Sequence, residues 1–429
     1  MPPKRKRLRK KRIDDDLGFG LLTDRTLGFK REMSREQTKK LEQQRKQDIA
    51  DKALAEAKRL RTALNQQAAI QPVRPPGSRG DGNFHLAFVQ IGQGDCTVLS
   101  TPLGKVVVID CGTNSSDNEA RDEFTGRVMG VLEEDRFLKD HSVIDVLILT
   151  HPDRDHFNRL ETMIPARCEG KVVTVYHTQL IGDYGPAADW VRRFVLDDNL
   201  IMRVVLNQVL DNNGAVVSGE ITLGGQSVQL ADAVNKVERR DATGGIIIVS
   251  EPNCTITLMA AGVSVDYARD NDSIDHTNRG SIVTLVEVFG KKILLCADAT
   301  RSTEHYLLNS PRAARLSQVH YVTAGHHGSD VTSSGQPFID GVNPRERVIV
   351  SAANVGMPNH HLPSWPVINR WVQRMAASGR VAAVKHYVSA WDLDYSRYTP
   401  KVDAVSQAVF TTGSSGTQYL DILQPVNVQ

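Results

Sequence analysis

The chain has 429 residues, of which 40% are hydrophobic and 24% are charged. This composition is ordinary for a globular protein, and the length is sufficient for two or three average domains or one large domain. No apolar run approaches the roughly 20 residues that a membrane-spanning helix needs. The basic start is followed by "IDDDLGFG", where a signal peptide would have an apolar core. We therefore expect a cytoplasmic protein that is not bound to a membrane.

The formal net charge of +2 conceals an uneven distribution along the chain. Residues 1–80 carry 22 Lys and Arg against 10 Asp and Glu, a balance of +12. The rest of the chain carries 30 against 40, a balance of −10. The five cysteines are odd in number, form no CxxC pair and lie mainly in apolar runs, so we expect them to be free thiols in a reducing compartment.

The first 80 residues are predicted to form a basic helical arm. The run "KRKRLRKKR" cannot fold alone, and it could contact nucleic acid, an acidic partner or the acidic remainder of the chain, or simply be solvated. Its candidate binding residues are Lys4, Arg5, Lys6, Arg7, Arg9, Lys10, Lys11 and Arg12. A helix is predicted from Ser34, and its thin apolar stripe suits solvent or a protein partner. The Pro- and Gly-rich residues 72–82 predict a linker, so residues 81–429 form the second predicted domain.

From Phe84 onward the chain is organised in two strand-rich halves. The first contains "FHLAFVQIG", "KVVVIDCG" and "VIDVLILT", and the second contains "GSIVTLVEVFG", "KKILLCAD", "VHYVTAG" and "RVIVSAAN". A helix-like segment, "WPVINRWVQRMAASG", closes the second half. This pattern predicts two sheets packed together with helices outside. Residues 183–262 are less regular and are interpreted as an insertion.

Potential metal ligands follow several of the predicted strands. The segment "HPDRDH" (151–156) places two imidazoles and two carboxylates within six residues, and these must be desolvated together unless a cation compensates them. Seven of the 13 histidines fall in four such segments, which favours an active-site metal centre over scattered histidines. The candidates are Asp110, His151, Asp153, Asp155, His156, His276, Asp298, His326, His327, His360 and His361.

The order of the motifs "GQGDCTVL", "VVIDCGT", "HPDRDH", "NRGSIVTLVEVFGKKILLCADAT", "HHGS" and "SAANVGMPNHHLPS" resembles that of the metallo-β-lactamase superfamily. Within it, the chain is similar to the domain of ComEC-type DNA-uptake proteins and their stand-alone relatives. The resemblance runs from Phe84 to the C-terminal region. It implies an α+β fold, an αββα sandwich with a two-metal site along one edge of the sheets.

The resemblance also implies roles for individual residues. His151 and Asp153 would serve one metal ion, Asp155 and His156 the other, and Asp298 would bridge them. Asp110 would orient the metal-binding loop. Asp153 stands where many family members have a His, and this exchange favours manganese or magnesium over zinc, although a pair of zinc ions fits the family.

Three ligand positions stay open at this stage. His276 lies near the expected third ligand segment but could equally be a turn residue. Consecutive residues of an extended chain point in opposite directions, so only one of His326 and His327 needs to reach the metals. Many relatives have a His directly before the Pro of the last motif, whereas here Leu362 takes that place, and the ligand register is open between His360 and His361.

Two adjacent metal ions suit hydrolysis with a metal-bound hydroxide as the nucleophile, and no GxSxG, P-loop or patterned cysteine offers another. The predicted catalytic residues are Asp155, Asp298, His360 and His361. The family favours a phosphodiesterase or nuclease acting on DNA. The alternatives are a nucleotide or cyclic-nucleotide phosphodiesterase, and an effector subunit of a larger assembly, such as a defence-type assembly, held to a protein partner by the N-terminal helix.

Overall fold

The structure is a computed structural model in which the described residues belong to one unit, Pro72–Gln429. The described residues are 79–114, 118–138, 141–179, 181–195, 201–203, 220–223, 226–229, 245–263, 276–353, 361–382, 385–394 and 397–425. The basic run, the helix predicted from Ser34 and the candidate His360 lie outside them. Within the described residues, no helix has both the length and the apolar character that crossing a bilayer requires.

The described strands are numbered in chain order. They are β1 (Phe84–Phe88), β2 (Thr97–Ser100), β3 (Val106–Ile109), β4 (Ile144–Leu149), β5 (Val172–His177), β6 (Ile201–Arg203), β7 (Glu220–Leu223), β8 (Gln226–Gln229), β9 (Ile246–Glu251), β10 (Cys254–Ala260), β11 (Val283–Val288), β12 (Lys291–Leu295), β13 (Tyr321–Thr323), β14 (Arg347–Val350), β15 (His386–Asp394), β16 (Arg397–Val405), β17 (Val409–Thr411) and β18 (Gln418–Ile422).

The described α-helices are numbered in the same way, and most of them are short. They are α1 (Asn118–Leu132), α2 (Arg154–Phe157), α3 (Leu160–Met163), α4 (Pro186–Phe194), α5 (His276–Arg279), α6 (Arg301–Leu308), α7 (Ala313–Leu316), α8 (Gln336–Val342), α9 (Trp365–Ala377) and α10 (Thr412–Ser415). Helix α9 shows how the sequence specifies this layer, because Val367, Ile368, Trp371 and Met375 recur at helical spacing and all are fully buried.

Two seven-stranded sheets form the centre of the fold. Their orders are β18-β1-β2-β3-β4-β5-β6 and β17-β14-β13-β12-β11-β10-β9. Each sheet has an antiparallel part and a parallel part, the parallel strands being β3 to β6 in one sheet and β12, β13, β14 and β17 in the other. The pairs β7–β8 and β15–β16 form separate two-stranded sheets.

Three hydrophobic cores define four layers. The middle core joins side chains of both sheets, such as Leu86 and Ile148 from the first and Ile256 and Ile293 from the second. A second core packs α1 and α4 against the outer face of the first sheet. A third packs α6, α8 and α9 against the outer face of the second sheet. The predicted αββα sandwich is therefore confirmed.

The structure corrects one part of the sequence interpretation. The described residues 183–195, 201–203 and 245–262 of the segment interpreted as an insertion belong to the main sandwich, because α4 covers the first sheet, β6 is its edge strand, and β9 and β10 complete the second sheet. The weak sequence signal has a physical reason, since β9 is an edge strand with partly exposed positions. All five cysteines are buried and free, as expected.

A buried charged group fastens β1 to β18 at the edge of the first sheet. Both ring nitrogens of His85 face carboxylates, Nδ1 at 2.7 Å from Asp421 and Nε2 at 3.0 Å from Asp81. Burial lowers the pKa of His85, but these two hydrogen-bonded carboxylates outweigh it and raise the pKa to about 9. The same contacts lower the pKa of Asp81 to about 2, against the opposing effect of its own burial.

This arrangement predicts that stability falls at alkaline pH. Because the pKa of His85 is above the unfolded value of 6.5, its stabilisation is complete below about pH 6.5 and is lost as the pH rises through about 9. The variant His85→Gln should lower the free energy of unfolding by about 2 kcal/mol at pH 6 and by much less at pH 9.5. Urea unfolding at both pH values measures this. An equal loss at both would contradict a charged His85.

Candidate metal centre

The ends of the parallel strands bring the predicted ligands together. Asp110 follows β3, the segment from His151 to His156 follows β4, Asp298 follows β12, and His326 and His327 follow β13. In both sheets these are the carboxyl ends of parallel strands, the edge at which ligand sites of such sheets collect. The structure therefore gathers into one site residues that are more than 200 positions apart in the sequence.

Asp298 lies at the centre of this group, and it is almost completely buried. Its Oδ1 is 3.3 Å from His156 Nε2 and 3.5 Å from His327 Nε2. Its Oδ2 is 3.7 Å from the Nε2 atoms of His151 and His326. Each carboxylate oxygen thus faces a different pair of imidazoles.

The four imidazoles share one orientation, with Nε2 facing Asp298 and Nδ1 held by a neighbouring oxygen. His156 Nδ1 is 2.7 Å from Asp110 Oδ2, and His327 Nδ1 is 2.7 Å from the Ser351 carbonyl oxygen. The remaining contacts are His326 Nδ1 with Thr332 Oγ1 at 2.6 Å, and His151 Nδ1 with Ser281 Oγ at 3.2 Å and Thr150 Oγ1 at 3.1 Å. Such contacts fix the ring orientation that a metal-ligating histidine requires.

Asp110 orients the loop of residues 151–156 through hydrogen bonds to Thr150 and His156. It is fully buried with a positive φ of 56°, and its carboxylate accepts hydrogen bonds from the Thr150 backbone N–H at 2.8 Å and the Thr150 hydroxyl at 2.5 Å. Since it also holds His156 Nδ1, one carboxylate joins the ends of β3 and β4 and orients a ring that faces Asp298.

Both histidines of "HHGS" reach the centre. The residues form a 3₁₀ turn in which His326 and His327 have positive φ angles of 44° and 49°. The alternation of an extended chain does not apply to this backbone, so both rings face Asp298. His327 Nε2 is also 3.3 Å from Asp155 Oδ2. Asp155 therefore lies on the Oδ1 side of Asp298, with His156 and His327.

Buried charges of opposite sign compensate one another at this site. Burial raises the pKa of Asp298, but His327, His156 and His326 together hold it well below its ordinary value. Burial lowers the pKa of His327, but Asp298 and Asp155 raise it to about 9. The pKa of Asp155 is lowered to about 2 by His327 and His156, against the effect of burial. Imidazolium charge supports the carboxylates here, a role that divalent ions take when they displace these protons.

The donor set fits a divalent metal ion. Three groups of side chains among the described residues have ligand atoms close enough to share an ion, and each includes His156; they are His151, His156 and Asp298, then Asp155, His156 and His327, and then Asp95, Asp110 and His156. The buried Nε2 atom of His151 has no hydrogen-bond partner among the described residues. A buried, unsatisfied acceptor that faces a carboxylate is costly unless a cation binds there.

The other predicted site residues are placed less centrally. The Asp153 side chain is 44% exposed, and its Oδ2 is 3.7 Å from His151 Nε2. His276 begins α5, but its side chain lies outside the described part of the structure. His361 packs against the rings of Trp391 and Tyr398, and no contact with Asp298 joins it to the centre within the described residues.

Sequence reasoning missed Asp95. One of its oxygens lies close to ligand atoms of Asp110 and His156, and burial raises its pKa to about 6. The motif "GQGD" could have indicated this residue, because it places an acidic side chain in a Gly-rich turn just before β2. Thr150, Ser281, Thr332 and Ser351 were also missed, because nothing in a sequence distinguishes a hydroxyl or a carbonyl that supports a histidine.

Comparisons with known proteins give structural similarity only. No protein family matches the chain, and no curated protein matches it. Among solved structures, a mutant of CmlA beta-hydroxylase has a TM-score of 0.38 and 13% identity, over 79% of this chain and 53% of that one. The chain thus spans about half the length of that protein.

Two further structures are similar over most of their own length. The metallo-beta-lactamase fold protein YhfI from Bacillus subtilis has a TM-score of 0.37 and 7% identity, over 79% of this chain and 100% of that one. The short form of human tRNase Z has a TM-score of 0.33 and 10% identity, over 62% of this chain and 91% of that one. With TM-scores below 0.5, these similarities assign no residue and no substrate. The layers and sheet order described above show an αββα sandwich independently of these comparisons.

The geometry predicts that Asp298 is essential for metal binding. The variant Asp298→Ala removes the one carboxylate that faces all four imidazoles, so a wild-type content of about two ions per chain should fall to less than one. Elemental analysis after extensive dialysis measures this. The matched control is Asp340→Ala, which removes an exposed carboxylate on α8 and should retain the wild-type content. Unchanged metal in Asp298→Ala would show that the bridge is assigned wrongly.

Proposed function

We propose that the protein is a metal-dependent phosphodiesterase that acts on DNA, with a metal centre of the ComEC-like type. The observation that carries this proposal is the convergence of four imidazole Nε2 atoms on Asp298, each ring being held at its Nδ1. Asp155 adds a second buried carboxylate to the same space. This donor set favours hydrolysis by metal-activated water over covalent catalysis by the protein.

The positions of the side chains divide the proposed ligands into two sets. His151, His326 and Asp298 Oδ2 would hold one ion, with Asp153 at its exposed side. His156, His327, Asp155 and Asp298 Oδ1 would hold the other. When bound, such a pair of ions lowers the pKa of water and neutralises the charge that develops on phosphoryl oxygens.

The residues of the chain have three separate tasks in this proposal. Asp298 sets the spacing of the two ligand sets, because its two oxygens face different histidines. Asp110 and the Ser351 carbonyl keep the Nδ1 protons of His156 and His327 directed away from the centre. Asp153 is the most exposed of the proposed ligands and lies where substrate would enter.

The choice of a phosphodiester rests on charge and on ligand type. The proposed donor set combines four imidazoles with three carboxylates, and the carboxylate of Asp153, which stands where many family members have a His, shifts the preference from zinc toward manganese or magnesium, which bind phosphate oxygens readily. The acidic body opposes the approach of a polyanion except at a cation-bearing centre, whereas residues 1–80 carry a balance of +12. The basic arm would supply affinity for the DNA backbone that the body lacks.

A panel of substrates and metals tests this proposal. Single-stranded DNA, duplex DNA, cyclic nucleotides, a model phosphodiester and a lactam should be compared with manganese, zinc and magnesium. We expect cleavage of DNA with manganese, faster than with zinc, and at least a 100-fold loss of rate in Asp298→Ala. If only cyclic nucleotides are hydrolysed, the substrate is a cyclic nucleotide and not DNA. If only the lactam is hydrolysed, the phosphodiesterase proposal is wrong.

The arm supports a second candidate role, that of a subunit held by a partner. Its basic run suits an acidic protein as well as DNA, and the thin apolar stripe of the predicted helix suits a partner helix.

Deletion of residues 1–78 distinguishes the two roles of the arm. If the arm binds DNA, deletion should weaken DNA binding at least tenfold at low salt and flatten its salt dependence, while a short model phosphodiester is cleaved as before. If the arm binds a partner, DNA affinity and its salt slope should not change, and co-purification of that partner should be lost. Equal salt slopes for the full-length and truncated proteins would exclude the nucleic-acid role.

A further inference from the structure

Ligand atoms are spaced differently on the two sides of Asp298. We define an Oδ1 side and an Oδ2 side by the proposed ligands of each ion, which are Asp155, His156 and His327 for the first and His151, Asp153 and His326 for the second. On the Oδ1 side, the Nε2 atoms of His156 and His327 lie 3.3 Å from each other and 3.3 Å and 3.5 Å from Asp298 Oδ1. On the Oδ2 side, the Nε2 atoms of His151 and His326 both lie 3.7 Å from Asp298 Oδ2.

These separations show which side is already arranged for an ion. Two ligands that bind one ion at about 2.1 Å lie about 3.0 Å apart at a right angle and about 3.4 Å apart at a tetrahedral angle. The Oδ1 side has this spacing, and its three side chains form one of the groups that can share an ion. His326 belongs to no such group among the described residues. The Oδ2 side must therefore contract to bind an ion, and this rearrangement lowers its affinity.

His326 is the least constrained of the four imidazoles. The two histidines of the Oδ1 side hold Nδ1 against acceptors that cannot donate, a carboxylate and a backbone carbonyl. His151 Nδ1 faces the Thr150 hydroxyl, which donates its own proton to Asp110 and therefore accepts from the ring. His326 Nδ1 faces the Thr332 hydroxyl, which can donate or accept. This contact permits the tautomer with a proton on Nε2, and that tautomer does not bind an ion.

The amide of Asn278 contacts the metal-facing nitrogen of His326. Asn278 is 6% exposed, and its Nδ2 is 3.3 Å from His326 Nε2. An ion on Nε2 needs the same lone pair, so this amide N–H must turn away before the ion binds. Giving up one neutral hydrogen bond lowers affinity about fivefold. The contact therefore weakens ion binding on the Oδ2 side further.

The Oδ2 side is also the more open side of the centre. The side chains of Asp153 and His326 are 44% and 20% exposed, whereas those of Asp155, His156 and His327 are at most 12% exposed. Solvent reaches an ion on the Oδ2 side more readily, which favours its exchange with the medium.

We propose that the two ions differ in affinity, with a resident ion on the Oδ1 side and an exchangeable ion on the Oδ2 side. The inference rests on the proposed function and adds its regulation, because hydrolysis by two ions then requires enough free metal to fill the Oδ2 side. The groups that hold a ligating ring change metal affinity by about 10- to 100-fold. The two dissociation constants should therefore differ at least tenfold, and activity follows the concentration of free manganese.

Titration of the metal-free, full-length protein with manganese tests this inference, since the electron paramagnetic resonance signal of free manganese gives the amount bound. We expect two classes of site, each holding about one ion, with dissociation constants at least tenfold apart. His326→Ala should abolish the weaker class and retain the tighter one. Thr332→Val keeps the ring but removes the hydroxyl partner of its Nδ1, so it should weaken only the weaker class, about tenfold.

The matched control is His305→Ala. His305 lies on α6, and its Nδ1 contacts the Asn309 amide at 3.0 Å, so it forms the same kind of imidazole–amide pair outside the centre. This variant should retain both classes with wild-type dissociation constants. In wild type and control, the rate of DNA cleavage should rise with filling of the weaker class. In Thr332→Val that rise should need about tenfold more manganese.

The outcomes separate this inference from the proposed function. Binding of only one ion, binding of two equivalent ions, or loss of the tighter class in His326→Ala would overturn the inference and leave a phosphodiesterase possible to demonstrate by its own panel. A cleavage rate that is already maximal when only the tighter class is filled would also overturn it. If the two classes bind as expected but no phosphodiester is cleaved at any manganese concentration, the proposed function fails and the unequal affinities stand.

Discussion

The arrangement of the candidate metal centre depends on how the negative charge of the buried Asp298 is compensated. A carboxylate removed from water is stable only if positive charge or hydrogen-bond donors surround it, and here four imidazoles do so. Each of those imidazoles is itself fixed by an oxygen at Nδ1, so the requirement extends outward to Asp110, Thr150, Thr332 and Ser351. The same arrangement that compensates the buried carboxylate of Asp298 is the one that its proposed role as a bridging ligand requires.

The fold meets this requirement by bringing several backbone segments unusually close together. A Cβ on Gly94 would lie 2.1 Å from the Gly112 carbonyl oxygen, and one on Gly112 would lie 2.5 Å from the Asp155 carbonyl carbon. Only glycine permits these approaches, because any side chain would displace the loop that carries Asp155 and His156. The glycines of "GQGD" and "DCGT" therefore act on the site through packing and carry no ligand atom. The two sheets contribute rigid strand ends, and the loops between them need to be only a few residues long.

Many of the strands and most of the residues of the candidate metal centre could be predicted from the sequence, because buried strands appear as apolar runs and ligands appear as clusters of His and Asp. Apolar runs such as "VIDVLILT" identified buried strands, and the clustering of histidines identified the residues that meet at Asp298. Local patterns did not predict the left-handed backbone of His326 and His327, which makes both rings face inward. They also missed β9 and β10 as part of the second sheet. For β9 the reason is that an edge strand with mixed burial has weak periodicity, whereas β10 is an inner strand buried at all but one position. His361 was selected for its residue type, but its neighbours come from the hairpin more than 25 residues later.

The central claim is that two metal ions share the carboxylate of Asp298. Anomalous X-ray diffraction from crystals of the manganese-loaded protein, measured at the manganese absorption edge, tests it most directly. The account predicts two anomalous peaks about 3.5–4 Å apart, one beside the Nε2 atoms of His151 and His326 and the other beside those of His156 and His327. A single peak, or two peaks of which neither contacts Asp298, would contradict it.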